Sequence, residues 1–361
     1  MKVALVYDRV NKWGGAERVL LSLHSIFPKA PLFTSVYYKK GAPWAKKFVV
    51  KTSFLQNIPM AKKSHELFPI FMPKAFESFS FKRYDVVISV TSEAAKGIIV
   101  PKKTLHICYC LTPTRYLWSG YNEYFKNLLA KFISFPFVLY LRLWDKKAAK
   151  RPDVIIAISN EVKRRIKKYY KRDSVVIYPP LTLKSVRWTH PFKRSSKKES
   201  YYLVVSRLVQ YKRVDIAIDA FNKLSLPLKI IGIGKSMNKL KKIAGPTIEF
   251  LGSLTDQEVV EYYKNCRAVI FPGREDFGLS AVEAQYFGKP VIAFRAGGAK
   301  ETIKEGKTGE FFYPQKASAL TIAVKKSMKK RYNAKAIHDF ANTFSEKRFK
   351  KELLQAVETH V

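Results

Sequence analysis

Between Tyr201 and Arg295 short apolar runs alternate with amphipathic stretches, and no other feature of the sequence restricts the fold so narrowly. Tyr201–Arg207 (YYLVVSR), Leu228–Gly234 (LKIIGIG), Ile248–Ser253, Arg267–Pro272 (RAVIFP) and Pro290–Arg295 read as strands. Between them, Arg213–Leu224 has apolar residues at helical spacing, a basic helix ends near Ala244, and another helix runs from Gly278 to Phe287. Thr255 with Glu258 three residues on forms a capping box at a further helix start. Uninterrupted apolar runs are what strands buried on both faces require, and helical crossovers are what parallel neighbours require. The expected fold class is therefore α/β, with a doubly wound parallel sheet.

The amino-terminal half repeats the theme less regularly. Strands are expected at Lys2–Asp8, Tyr84–Val90, His106–Leu111, Asp153–Ser159 and Ser174–Tyr178, with helices at Ala16–Phe27 and Asn160–Tyr170. Residues 181–200 are polar, basic and unpatterned. The chain, at 361 residues, is too long for one ordinary core. The expected organisation is a first domain over 1–180, a linker over 181–200, a second domain over 201–344 and a carboxy-terminal helix over 345–361.

Charge and cysteine content exclude several classes. The formal net charge is +39, and it is spread along the chain: 33 Lys and Arg against 11 Asp and Glu in residues 1–180, then 34 against 17 in 181–361. Such a field draws polyanions, whether nucleic acid, anionic lipid or phosphorylated substrates. Three cysteines, Cys108, Cys110 and Cys266, neither make a disulfide framework nor carry zinc spacing, which suits a reducing, cytoplasmic setting. Met1–Asp8 is too brief an apolar run for a secretory leader, so none is expected.

Several motifs bear on chemistry. The fingerprint G-x-G-x-x-G is absent after the first strand, and Gly232–Ser236 lacks the leading glycine of a P-loop because Lys229 stands there. No Asp-x-Asp pair exists, so the usual carboxylate clamp for a metal-bound nucleoside diphosphate is missing. The informative stretch is Glu275-Asp276-Phe277-Gly278-Leu279-Ser280-Ala281-Val282-Glu283. Glu275 falls in the loop at a strand's carboxyl end, where doubly wound sheets bind ligands. The amides of Phe277, Gly278 and Leu279 open a helix, and such a start seats an anion. Glu283, roughly a turn and a half further on, can accept two hydrogen bonds from a vicinal diol.

This E-x7-E pattern, with Phe-Gly-Leu inside it and Gly288-Lys289-Pro290-Val291-Ile292 after it, resembles the retaining family 4 (group 1) glycosyltransferases of the GT-B fold. Trp13-Gly14-Gly15-Ala16-Glu17 resembles that family's amino-terminal glycine loop, and Ser206–Lys212 its Arg/Lys phosphate clamp. Tyr109–Trp118 (YCLTPTRYLW) and 157–180 look closest to bacterial mannosyltransferase-like members that build surface polysaccharides. The resemblance implies two Rossmann-like domains facing across a cleft, with the last helix returning to the first domain. It implies transfer of a sugar from a nucleoside-diphosphate sugar, GDP-mannose being a candidate donor, to a glycan or lipid-linked acceptor, without a cofactor or metal. By the same resemblance, Arg207 and Lys212 would neutralise the donor diphosphate, Glu275 would bind the donor sugar and Glu283 the ribose. Phe277–Leu279 would seat the pyrophosphate, with Gly14 and Gly15 closing over it. Members of this subgroup usually carry His where Leu111 stands, which leaves a catalytically impaired relative as an alternative. A basic nucleic-acid-binding protein is the other, although no recognition motif for one is present.

One stretch stays outside this scheme. Lys126–Trp144 (KNLLAKFISFPFVLYLRLW) is dense in aromatic and aliphatic residues, and its apolar core from Phe132 to Leu141 is too short to span a bilayer. It reads equally as a core helix or as a segment lying on an anionic membrane surface. The basic helix Asn160–Tyr170 reads equally as a solvated face or as part of that docking surface. Membrane docking would place the protein on the inner face of the cell membrane.

Overall fold

The computed structural model describes residues 1–125, 127–182 and 201–360. The chain divides into two compact units: Met1–Pro180 with Phe349–Val361, and Leu181–Arg348. The expected linker lies almost wholly outside the described residues.

In unit 1, seven parallel strands run in the order β3-β2-β1-β4-β5-β6-β7. They are β1 (Val3–Tyr7), β2 (Leu32–Thr34), β3 (Val50–Thr52), β4 (Val86–Thr91), β5 (Leu105–Cys110), β6 (Val154–Ala157) and β7 (Val175–Val176). The order reverses between β1 and β4, whose register runs from Val3 opposite Val86 to Tyr7 opposite Val90. Directly beyond that point the buried Asp8 carboxylate accepts from the Thr91 hydroxyl (2.8 Å). It also accepts from the amides of Ser92, Glu93, Ala94 and Ala95 at 2.7–3.0 Å. One acid thereby satisfies the amides of a whole strand-end loop, as buried backbone donors demand. The carboxy-terminal helix Glu346–Glu358 brings Phe349 into this unit, where it is fully buried with its ring 5.8 Å from Tyr109.

His106 on β5 supplies a pH-dependent element of stability. It is buried, its Nε2 lies 2.8 Å from the Ser89 hydroxyl, and burial, helped by Arg151, pushes its pKa down to about 3. The unfolded imidazole titrates near ~6.5. The neutral ring's contribution is therefore complete above that pH and is lost as the pH falls toward the folded value. Between pH 7 and pH 5 unit 1 is expected to lose about 2 kcal/mol through this group. Four of the five tryptophans (Trp13, Trp44, Trp118, Trp144) lie in unit 1, so urea unfolding followed by tryptophan fluorescence reads it. His106→Gln should flatten the pH dependence, and a variant with the wild-type dependence refutes the assignment.

Unit 2 holds six parallel strands: β8 (Tyr202–Val205), β9 (Leu228–Ile231), β10 (Ile248–Gly252), β11 (Val269–Phe271), β12 (Val291–Phe294) and β13 (Gly309–Phe312). Their order, β10-β9-β8-β11-β12-β13, is that of a Rossmann sheet, with its switch point between β8 and β11. Alternate residues feed the two faces. Tyr202, Val204, Ile270 and Ile292 pack with Ile218 and Phe221 of the helix Val214–Leu224, while Leu203, Val269, Val291 and Ala293 pack with Tyr263, Ala281 and Ala284. Both faces are covered, so the strands read as unbroken apolar runs rather than alternating ones. The capping box at Thr255 and Glu258 is present. The expected strands of this unit are all found, each ending earlier than expected, and β13 adds a sixth.

The apolar stretch after residue 126 forms a helix, Leu128–Ala148, with Pro136 inside it. Among its described side chains only Val138, Leu141, Asp145 and Ala148 are buried, so the core-helix reading fails. Arg165, expected on a solvated basic face, turns inward to Glu161 at 3.0 Å. Its neighbour Arg164 stays exposed.

Candidate active site

The switch point of unit 2 places two loops side by side at the carboxyl ends of β8 and β11. From the first come Arg207, Tyr211 and Lys212. Leu208 N donates to Ile233 O at 2.9 Å, and the turn closes with Lys212 N on Val209 O at 3.0 Å. From the second comes Glu275. The Lys212 ammonium meets the Glu275 carboxylate directly, with both side chains largely shielded from solvent. Tyr211 joins the two cations: its hydroxyl accepts from Arg207 Nη2 at 2.7 Å, and its ring centroid lies 5.3 Å from Lys212 Nζ. A fixed cation, a carboxylate and a second, exposed guanidinium therefore stand where this sheet topology binds ligands.

Backbone packing holds the Glu275 loop. Gly298 N donates to Glu275 O at 2.9 Å, and Glu275 pairs with Gly297 as an isolated parallel bridge. A Cβ on Gly298 would lie 2.4 Å from Phe277 Cα, so only glycine allows this approach. Phe277 is buried, with its ring 5.5 Å from Phe344. Gly278, at φ +96°, turns the chain into the helix Leu279–Tyr286, whose positive end faces the loop.

Of the residues expected at the site, Lys212 and Glu275 touch, Arg207 reaches Lys212 through Tyr211, and Phe277–Leu279 open the adjoining helix. Glu283 is buried on that helix, where the Tyr263 hydroxyl donates to its Oε2 at 3.0 Å. Gly14 and Gly15 belong to unit 1. Gly14 is extended (φ 177°) and precedes the helix Gly15–Ile26, and Trp13 beside it is capped by Arg18 at 5.5 Å. Leu111 is half-buried just past β5, its N–H donating to Thr91 O at 2.8 Å. Tyr211, Gly297 and Gly298 escaped the sequence reading. The Gly-Gly pair following an apolar strand run was the available signal.

Unit 1 carries a second polar cluster at its strand ends. Lys96 and Asp145 form a buried ion pair at 2.5 Å, and Asp145 also accepts from Thr114 Oγ1 (3.0 Å) and Trp118 Nε1 (2.7 Å). With its oxygens satisfied, the pair survives burial. Burial alone would depress the Lys96 ammonium, yet Asp145 holds its pKa above the usual value. Burial would likewise raise the Glu93 carboxyl, but Arg9 at 3.0 Å outweighs it and holds the pKa down at about 2. Among the described residues, no group of three or more His, Cys, Asp and Glu side chains is placed to hold a metal ion.

Two parallel doubly wound units, the second with Rossmann strand order, give the chain the GT-B fold of the solved structures it resembles. The family model for glycosyl transferases group 1 matches residues 186–345. An uncharacterized glycosyltransferase of Methanocaldococcus jannaschii is 32% identical over 173 residues, 46% of this chain and 47% of the relative. The O-antigen chain mannosyltransferase C of Escherichia coli is 25% identical over 201 residues, 52% of this chain and 53% of the relative. The matches thus span about half the length of these relatives. Among solved structures, Anabaena HepE in complex with UDP and glucose superposes with a TM-score of 0.73 over 99% of both chains at 19% identity. No helix among the described residues is long and apolar enough to cross a membrane.

Proposed function

We propose that the protein is a retaining glycosyltransferase that moves a hexose, mannose first among the candidates, from a nucleoside-diphosphate sugar to a glycan or lipid-linked acceptor without a metal ion. The observation that carries this reading is the Lys212–Glu275 pair at the switch point, with Arg207 beside it through Tyr211. As the sugar departs, negative charge grows on the leaving diphosphate. Lys212 and Arg207 stabilise that charge from fixed positions, doing the work a metal ion does in carboxylate-clamp enzymes. Glu275 orients the donor sugar through its hydroxyls, and Glu283 takes the ribose. The leaving phosphate assists deprotonation of the acceptor on the same face, which retains the anomeric configuration and asks no base of Leu111. Mannosyltransferases among the similar proteins support the choice of sugar. Bacterial surface-polysaccharide synthesis on the inner face of the cell membrane is the matching setting.

A panel of nucleotide sugars read by thermal shift tests the donor. The true donor at 100 times its Kd should stabilise the native state by about 2.7 kcal/mol and raise the melting point accordingly. Transfer to a synthetic lipid-linked acceptor should persist in EDTA, and NMR of the product should show the donor's anomeric configuration. A panel without a shift refutes the reading, and an inverted product refutes retention.

A further inference from the structure

The Leu128–Ala148 helix of unit 1 is built the wrong way round for a water-facing helix. Its inner side is anchored by the buried Asp145 and by Trp144, whose Nε1 donates to Glu77 at 2.8 Å. Its outer side carries Leu128, Phe132, Ile133, Phe135, Leu139 and Leu143, exposed by 46–82%. At 3.6 residues per turn these side chains sweep an arc of about 160° along roughly 24 Å of helix. No charged residue falls within that arc until Lys146 and Lys147, both exposed, close its carboxyl end. A rigid apolar strip of this size marks an interaction surface.

We propose that this helix docks the protein on an anionic lipid surface, lying in its plane with the outer strip sunk among the acyl chains. Charge selects the occupant. At a net +39, a second copy would have to approach against like charge, whereas an anionic leaflet attracts the whole chain. Trp118 links this helix to further cations. Trp118 stacks on Tyr169 at 5.3 Å, and Lys146 Nζ lies 5.5 Å from the same Trp118 ring. That contact ties the apolar helix to the helix Asn160–Tyr170, which exposes Lys163, Arg164, Lys167 and Lys168. The apolar strip supplies insertion and the basic rim supplies attraction, the two signals that stable peripheral attachment takes. Docking needs no donor and no transfer, so it stands or falls apart from the proposed activity.

Vesicle flotation decides it. The full chain should float with phosphatidylcholine–phosphatidylglycerol vesicles at low salt, float at least about tenfold less with phosphatidylcholine alone, and lose binding in high salt. Phe132→Asp with Phe135→Asp should weaken partitioning by more than about tenfold, because two inserted rings become charged at exposed positions that leave the core untouched. Lys146→Glu with Lys147→Glu should reduce binding to the anionic vesicles only. Circular dichroism and the donor-induced thermal shift should stay at wild-type values in both variants. Wild-type protein that floats with neither vesicle overturns the proposal, as does partitioning indifferent to the Phe132 and Phe135 changes. A concentration-dependent dimer that the same changes dissolve, seen by sedimentation without vesicle binding, assigns the strip to a second copy instead.

Discussion

Glu275→Ala is expected to lower sugar transfer by about two to three orders of magnitude while leaving the fold intact, the scale seen when one fixed transition-state contact is removed. Its carboxylate meets Lys212 at the switch point, so the substitution removes the donor-sugar contact and also frees the ammonium it holds in place. Lys212→Ala should cost a similar factor, expressed in kcat more than in KM, because the cation's contribution grows as the diphosphate leaves. The two residues act as a unit, and the double variant should lose far less than the product of the single losses. Steady-state kinetics on the four proteins of this cycle make the measurement. Additive losses, or a Glu275→Ala enzyme within tenfold of wild type, would show that the pair is structural.

The second large effect comes from a residue with no side chain. Gly298→Ala puts a methyl group 2.4 Å from Phe277 Cα and 2.5 Å from Phe277 O, where both neighbours are backbone and cannot rotate away. The Glu275–Phe277 loop must shift. A displacement of about 1 Å at a positioning loop can cost a hundredfold in rate. Transfer should fall by at least about that factor and the donor-induced thermal shift should shrink, with secondary structure by circular dichroism preserved. Activity within threefold of wild type would mean that the loop's position does not matter to the chemistry.

Much of this molecule follows from pattern alone. Strands β8, β9, β11 and β12 are apolar runs long enough to announce themselves, and helical spacing between them leaves a parallel sheet as the economical solution. Glu275 stands out because it follows the carboxyl end of such a run, where this topology binds ligands, whereas Arg207 and Lys212 are legible only through the resemblance of Ser206–Lys212 to a phosphate clamp. Strands β2 and β3, three residues each, carry too little period to be seen, since β2 rests on pairing to β1, and β3 on pairing to β2, rather than on their own sequence. Tyr211 lay inside a recognised motif, yet its bridging position depends on how the β8 loop folds over Lys212. Gly298 matters only because a loop 21 residues earlier in sequence comes to rest against it, an approach no local spacing encodes.

The helix Leu128–Ala148 draws the line most sharply. Its sequence is apolar nearly all round, a composition that serves a core helix as well as a docking one. What decided its orientation was one acid on the opposite face. Asp145 pairs in the interior with Lys96, 49 residues away, and a charge can be buried there only with its partner in place. That tertiary ion pair turned one side of the helix inward and left its apolar strip facing out. Sequence determines which segments are apolar and with what period, because those properties are local. Which face of a segment is covered depends on partners brought together by the whole fold, and only the tertiary structure could decide that.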